Sequence, residues 1–348
     1  MNLGTTAFTT RRSELALRGV ALRGVALHGV ALAMLGSVVG GVLGGCQTNS
    51  TTGRSQLIML SWQEEVQLGT EAKPELVKEF GGEVARADLR DYITEIGQRL
   101  AITTSQDDEN LAQLPWEFTL LDSDVVNAFA LPGGKVFMSR GLVQMMTNEA
   151  QLAGVLGHEI GHIAARHTNE RFSRAAGAQL GVGILGAVLG TGAGSQTISD
   201  LAGQATGIAL MSYDRNQELE SDALGMRYMA RAGYNPAAQR QVMEILLKAS
   251  GGAKQLEILS THPHPESRIR QIDDLIANEY AGTQNNPQYQ LREQEFKTRF
   301  LNKLAAAYPT ISEPIFDPER AKQERQIVMR NAGIDASEHG GHDGCAGH

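Results

Sequence analysis

Residues 154–167, GVLGHEIGHIAARH, set three histidines and one glutamate into a run whose apolar spacing suits a buried helix. An imidazole or carboxylate in a core is costly without a partner. The stretch therefore constrains the whole chain, because the rest of the fold must deliver partners to this helix. Its start is also legible. Asn148 is a capping residue, Gln151 comes three places on, and the apolar period runs from there to about His167.

His158-Glu159-Ile160-Gly161-His162 reads H-E-x-x-H. Helix positions four apart lie about 40° apart around the axis and roughly 6 Å apart along it, so both imidazoles project from one face and can grip one ion. Glu159 stands about 100° round from His158, where it reaches a water beside the ion without being a ligand. The competing reading is two helix histidines satisfied by backbone or carboxylate. A catalytic zinc takes three protein ligands and keeps a fourth position open. His167 is tempting as the third. On a continuous helix it would stand about 180° from His158 and about 140° from His162, which leaves it an ordinary residue near a helix C-terminus.

A second helical stretch, NQELESDALGMRYMARAG, places Glu218 and Asp222 four apart on one face. Glu218 suits the third ligand. Asp222 suits the acceptor that fixes the outer nitrogen of a ligating histidine. Glu220 is the rival ligand. It points about 200° from Glu218, and only Glu218 shares a face with a second carboxylate, so Glu218 is preferred. In Ser260-Thr261-His262-Pro263, His262 is expected in a loop from which it can reach the metal. Three roles stand open for it: a donor to a developing oxyanion, a fourth ligand that holds the enzyme latent, or an anchor of the fold. The cofactor implied is one Zn2+ per chain.

Elsewhere, WEFTLLD (116–122) reads as a strand and VVNAFALPGGKVFMSRG (125–141) as a hairpin turning at Pro-Gly-Gly. Helical periodicity marks 62–80, 87–103, about 214–232, 236–250 (Asn235 as cap, Pro236 first) and 265–279, with a further helix near 290–306. The fold class is α+β: a mainly helical domain with a small sheet beside the motif-bearing helix. Residues 177–211 begin with an apolar, glycine-rich run too short and too glycine-broken for a membrane span. They read as a closely packed helix or a mobile segment over a cleft. The ending SEHGGHDGCAGH reads as a solvated tail.

Charge excludes one class of partner. The 348 residues carry a net charge of −8, and the first 45 contribute +3 through Arg11, Arg12, Arg18 and Arg23 against Glu14. The remainder of the chain is therefore acidic, which argues against nucleic acid. Those first residues also look like a secretory leader, with early arginines, an apolar run and small residues at its end. Leu43-Gly44-Gly45-Cys46 resembles a bacterial lipobox, which implies lipid on Cys46, and Gln47 after it implies outer-membrane sorting. The alternative is an inner-membrane anchor made from the same run. The other cysteine, Cys345, then has no intramolecular mate. The domain expectation is a leader over 1–45, a polar tether over 46–60, a metallopeptidase domain over 61–280 and a C-terminal helix and tail over 281–348.

The two motifs together resemble the gluzincin arrangement, H-E-x-x-H and then E-x-x-x-D. More narrowly, the chain resembles the zinc peptidase family that includes the heat-shock peptidase HtpX and the CAAX prenyl endopeptidases. VNAFALPGGKVFMSRGLV resembles that family's hairpin ahead of the active-site helix. ELESDALG resembles its third-ligand helix, with Ser221 where alanine is more usual, and THPHPESRI resembles its Thr-His-Pro segment. The likeness covers about residues 60–280 and points to a periplasmic lipoprotein branch. It implies a zincin-like fold and a metalloendopeptidase. His158, His162 and Glu218 would hold the metal, Glu159 would be the general base, and Asp222 and His262 would assist. Unfolded or misassembled envelope proteins are the implied substrates, with Asn127 and the backbone near Ala128 to Leu131 holding them. The implied location is the periplasmic face of the outer membrane, and outer-membrane assembly machinery is an implied partner. A zinc-containing chaperone or assembly factor with little proteolysis is the alternative function.

Overall fold

The computed structural model describes residues 46–174, 212–250, 256–263 and 265–309. All of these but Cys46 belong to one compact unit, Gln47–His348. The stretch expected to be a leader, the glycine-rich segment 177–211 and the histidine-bearing tail with Cys345 lie outside the described residues. Among those described, no helix is long and apolar enough to cross a membrane.

The described residues begin with a short hairpin, β1 (Cys46–Thr48) and β2 (Ser55–Leu57). Helices α1 (Trp62–Glu79) and α2 (Ala87–Ala101) come next. They lead into a three-stranded sheet of β3 (Glu117–Leu121), β4 (Ala128–Leu131) and β5 (Lys135–Ser139). The central helix is α3 (Glu149–Ala164). After it come α4 (Arg215–Arg231), α5 (Ala238–Ser250), the one-turn α6 (Glu257–Thr261) and α7 (Pro265–Asn278). Residues 293–307 form the last helix among the described residues, with a π-helical stretch at its middle. The fold is mainly helical with small sheets, as the periodicity predicts.

The Pro-Gly-Gly turn closes the expected hairpin, with β4 antiparallel to β5 from Ala128↔Met138 to Leu131↔Lys135. Gly133 and Gly134 take φ of 74° and 87° there, a region that favours glycine. The first strand does not join the hairpin at its near side. β3 pairs with β5 in parallel, so the order is β3-β5-β4 and β4 is left at an edge.

All sixteen residues of α3 are buried. Asn148 caps it by accepting from the Gln151 amide at 2.9 Å. Gln151 reaches back one residue further than a capping box requires, accepting from the Thr147 amide at 2.7 Å. In the first turn, Glu149 is buried beneath Tyr92, Tyr234 (2.7 Å), Arg99 (3.1 Å) and Arg292 (3.2 Å). A carboxylate is favoured at a helix N-terminus, and here it also ties in the C-terminal helix, whose Phe296 and Phe300 lie against Tyr92.

Two expectations change. Residues 46–60 do not form a free tether. Asn49 Nδ2 donates to the Ala164 carbonyl at 3.1 Å and Gln56 Nε2 to that of Ala165 at 3.0 Å, so the first hairpin answers carbonyls left open by the end of α3. Helix α5 starts at Ala238, two residues later than expected. Asn235 Oδ1 accepts from the Ala237 amide in a turn that precedes it.

Helices α3 and α4 meet through small residues. A Cβ built on Gly225 would lie 2.8 Å from the His158 nitrogen and 2.9 Å from the Gly157 carbonyl carbon, and one on Gly161 would lie 2.7 Å from Ser221 Oγ. The backbones therefore touch, and Ser221 Oγ donates across the seam to the His158 carbonyl. Ala in place of a helical Gly gains about 1 kcal/mol from propensity, whereas overpacking costs about 1–3 kcal/mol. Because the atoms met by Gly225 are backbone, overpacking wins. Gly225→Ala is expected to lose about 1–2 kcal/mol in urea unfolding. A midpoint that stays put or rises would show that the two helices separate freely.

Candidate metal centre

The seam delivers two carboxylates of α4 to the histidines of α3. His158 Nδ1 meets Asp222 Oδ1 at 2.9 Å. His162 Nε2 lies 3.3 Å from Glu218 Oε1, and His158 Nε2 lies 3.6 Å from Glu218 Oε2. From α6, His262 Nδ1 comes within 3.0 Å of Glu218 Oε1 and 3.2 Å of His158 Nε2. One ligand atom from each of His158, His162, Glu218 and His262 falls within 4.8 Å of all the others, and the four residues are buried. The sequence-preferred Glu218 is thus brought to the histidine pair. Its rival Glu220 turns away to His167 Nε2 at 2.8 Å and Arg54 Nε at 3.3 Å.

The donor set fits a zinc ion. With Asp222 at His158 Nδ1 and His167 at His162 Nδ1 (2.8 Å), both outer nitrogens are engaged. The two Nε2 atoms converge to 3.0 Å beside an anionic carboxylate, where a divalent cation would accept a lone pair from each. Two imidazole nitrogens and one carboxylate oxygen are an ordinary zinc triad.

Electrostatics sharpen the division of roles. Burial pushes the Glu159 carboxyl above its ordinary pKa, an effect the neighbouring imidazoles of His262 and His158 only partly offset. Its Oε2 is buried without a hydrogen-bond partner among the described residues, and its Oε1 lies 3.6 Å from His262 Nε2. Burial also opposes charge on Glu218 and Asp222, but Arg268 and the neighbouring imidazoles together outweigh it. Glu218 is held well below the usual carboxylate range and Asp222 at about 2. Burial lowers His162 strongly, which keeps it neutral as a ligand must be. For His262 burial is outweighed by Glu218 and Glu159, and its pKa rises.

Three features are not legible in the sequence. Arg268 of α7 grips Asp222 with Nε (2.6 Å) and Nη2 (2.7 Å) and reaches Glu218 with Nη1 (2.6 Å). It stands within THPHPESRI, but spacing alone gives no role to an arginine a few residues past a proline. Tyr213 stacks on His162 with ring centroids 3.6 Å apart and donates its backbone amide to the Thr261 carbonyl at 3.0 Å. Nothing in its local sequence marks it. His262 is not in a loose loop. It closes the C-terminus of α6, its amide bonded to the Ile258 carbonyl at 2.7 Å, because the Tyr213–Thr261 bond pins that turn.

The largest correction concerns His167. Helix α3 stops at Ala164, Arg166 adopts φ of 55°, and a new helical turn starts at His167. The break redirects the chain and returns His167, fully buried, to the outer face of His162. The ideal-helix angle that separated the two does not apply across it. His264 lies outside the described residues. Asn127 is buried just before edge strand β4, with neither side-chain polar atom hydrogen-bonded among the described residues.

The family model of peptidase family M48 matches residues 88–276. The chain is 34% identical over 187 residues to the beta-barrel assembly-enhancing protease of Escherichia coli K12, covering 52% of this chain and 37% of that protein. It is 30% identical over 220 residues to the mitochondrial metalloendopeptidase OMA1 of Schizosaccharomyces pombe, covering 61% of each. With its Saccharomyces cerevisiae counterpart it shares 34% over 184 residues, 50% of this chain and 52% of that one. The matched stretch thus spans little more than a third of the first relative and one half to three fifths of the others.

Removing Arg268 would leave two buried carboxylates uncompensated, a change that costs about 3–5 kcal/mol. Arg268→Met is expected to lower the stability of the metal-free protein by that amount in urea unfolding. Arg268→Lys should lose less, since it keeps the charge but not the fork.

Proposed function

The chain belongs to peptidase family M48, and from that premise we propose that it is a zinc-dependent endopeptidase acting on misfolded or misassembled proteins of the cell envelope. The supporting observation is the buried cluster of His158, His162 and Glu218 with an unsatisfied Glu159 carboxyl beside it. Those three residues would hold a zinc ion, which would supply a Lewis acid to acidify water and polarise a peptide carbonyl.

The residues around it divide the remaining work. Glu159 accepts the proton of the attacking water and returns it to the departing amine. Burial raises its basicity for that purpose. Asp222 fixes the ring of His158 through Nδ1, and Arg268 holds Asp222. His262, its protonated form favoured by Glu218 and Glu159, donates to the oxygen on which charge develops. The substrate lies extended along the edge of β4, paired by main-chain hydrogen bonds, with the free amide of Asn127 at its entry.

The finer assignments belong to the same proposal. They are an HtpX-like lipoprotein branch, lipid on Cys46 at the periplasmic face of the outer membrane, and a partnership with outer-membrane assembly machinery. The name of the E. coli relative, a β-barrel assembly-enhancing protease, supports the last of these. It also favours the second reading, an assembly factor with little proteolysis.

Glu159→Gln separates the two. Zinc content and thermal stability should match the wild type, while digestion of casein falls about 10²–10⁴-fold. Chelator should abolish digestion by the wild type. Digestion that persists in the variant refutes the mechanism, and a wild-type protein that binds zinc but digests nothing favours the assembly factor.

A further inference from the structure

We propose that His167 and Glu220 form a hydrogen-bonded relay that orients His162 toward the metal, with Arg54 of the N-terminal hairpin holding the far end. The proposal rests on the zinc-site reading above and adds two positioning residues to it.

The distances leave one consistent proton arrangement. For His162 Nε2 to face the ion with a lone pair, its Nδ1 must carry the hydrogen. That hydrogen points at His167 Nδ1, 2.8 Å away, which must accept. His167 then carries its own hydrogen on Nε2, and Glu220 Oε2 accepts it at 2.8 Å. Arg54 fixes that carboxylate, with Nε 3.3 Å from Glu220 Oε2, while its Nη1 and Nη2 grip Glu170 at 2.9 and 2.8 Å. Every polar atom in the line has one role, and reversing any one hydrogen sets two donors or two acceptors face to face.

The two ligating histidines are thereby served by one helix in two ways. Asp222 reaches His158 directly. Glu220, on the other side of α4, reaches His162 only through His167. A second imidazole bridges a span that one carboxylate on that face cannot cross. The left-handed Arg166 makes this possible, because a continuous helix would carry His167 away. A merely structural pair would not need the acceptor nitrogen of His167 to face a metal ligand.

The test is zinc affinity of the purified full chain, measured by competition with a chromogenic chelator, alongside the melting temperature of the metal-free protein. Loss of an outer partner weakens metal binding about 10–100-fold. His167→Leu is expected to show that loss. His167→Asn, whose amide oxygen replaces Nδ1 as acceptor, should recover to within a few-fold of wild type even if its metal-free melting temperature falls as far as that of the leucine variant. Glu220→Ala should weaken binding several-fold. If His167→Leu and His167→Asn bind zinc equally well or equally badly, the relay is wrong. Should His167→Leu not fold, unchanged affinity in Glu220→Ala overturns it instead. A wild-type chain that binds no zinc overturns the zinc-site reading itself, and the relay with it, whereas failure of the relay alone leaves wild-type binding intact.

Discussion

The contact between α3 and α4 is the constraint on which the rest depends. Gly161 against Ser221 and Gly157 against Gly225 let two backbones approach to contact distance. Only at that distance do side chains as short as Asp222 and Glu218 span from one helix to imidazoles on the other. A pair of helices packed through larger side chains lies about 8–10 Å apart axis to axis, and added separation would break the His158–Asp222 bond first. The cost falls on the apolar contact that glycines forgo, and burial of the whole of α3 makes up for it.

The seam also gathers charge where water is absent. Glu159, Glu218, Asp222 and Arg268 are all buried. Each ion taken from water costs several kcal/mol, and a buried pair at best recovers that amount. The cluster is therefore poorly explained as a stabilising device. It is well explained as a scaffold for a cation. Arg268, together with the neighbouring imidazoles, keeps two carboxylates ionised, and it does so without occupying the histidine nitrogens on the inner side. Glu159, by contrast, is raised by its own burial, which the imidazoles and Arg268 offset only in part. Neighbouring acids on the same two helices are thus tuned in opposite directions by the balance of burial and nearby charge.

The N-terminal hairpin is part of this arrangement. Asn49 and Gln56 finish α3 by taking up its terminal carbonyls, and Arg54 clamps Glu170 and Glu220. Residues only a few positions after Cys46 are therefore bonded to groups that touch the outer side of the metal centre. The polar, Ser/Thr/Gly-rich composition that suggests a linker serves here as a source of side-chain caps, since Asn and Gln amides satisfy carbonyls that the helix leaves open.

By itself the sequence determined the properties that local spacing controls. The i, i+4 rule placed His158 with His162 and Glu218 with Asp222 on common faces, and turn chemistry at Pro132-Gly133-Gly134 set the hairpin. Helix caps at Asn148 and Asp214 stand where the two motif-bearing helices start. The tertiary structure alone decided whatever depends on contacts between distant segments or on a break in regular geometry. Arg268 reaches Asp222 from 46 residues away, Tyr213 stacks on His162 from beyond a long connection, and β5 enters between β3 and β4. His167 is the instructive case: it is not among the groups that converge on the metal position, as the angles implied, but a single left-handed residue at Arg166 brings it to the outer nitrogen of His162, where an unbroken helix would not carry it. Periodicity encodes direction only while the backbone stays regular, and the packing of other elements decides where that regularity ends.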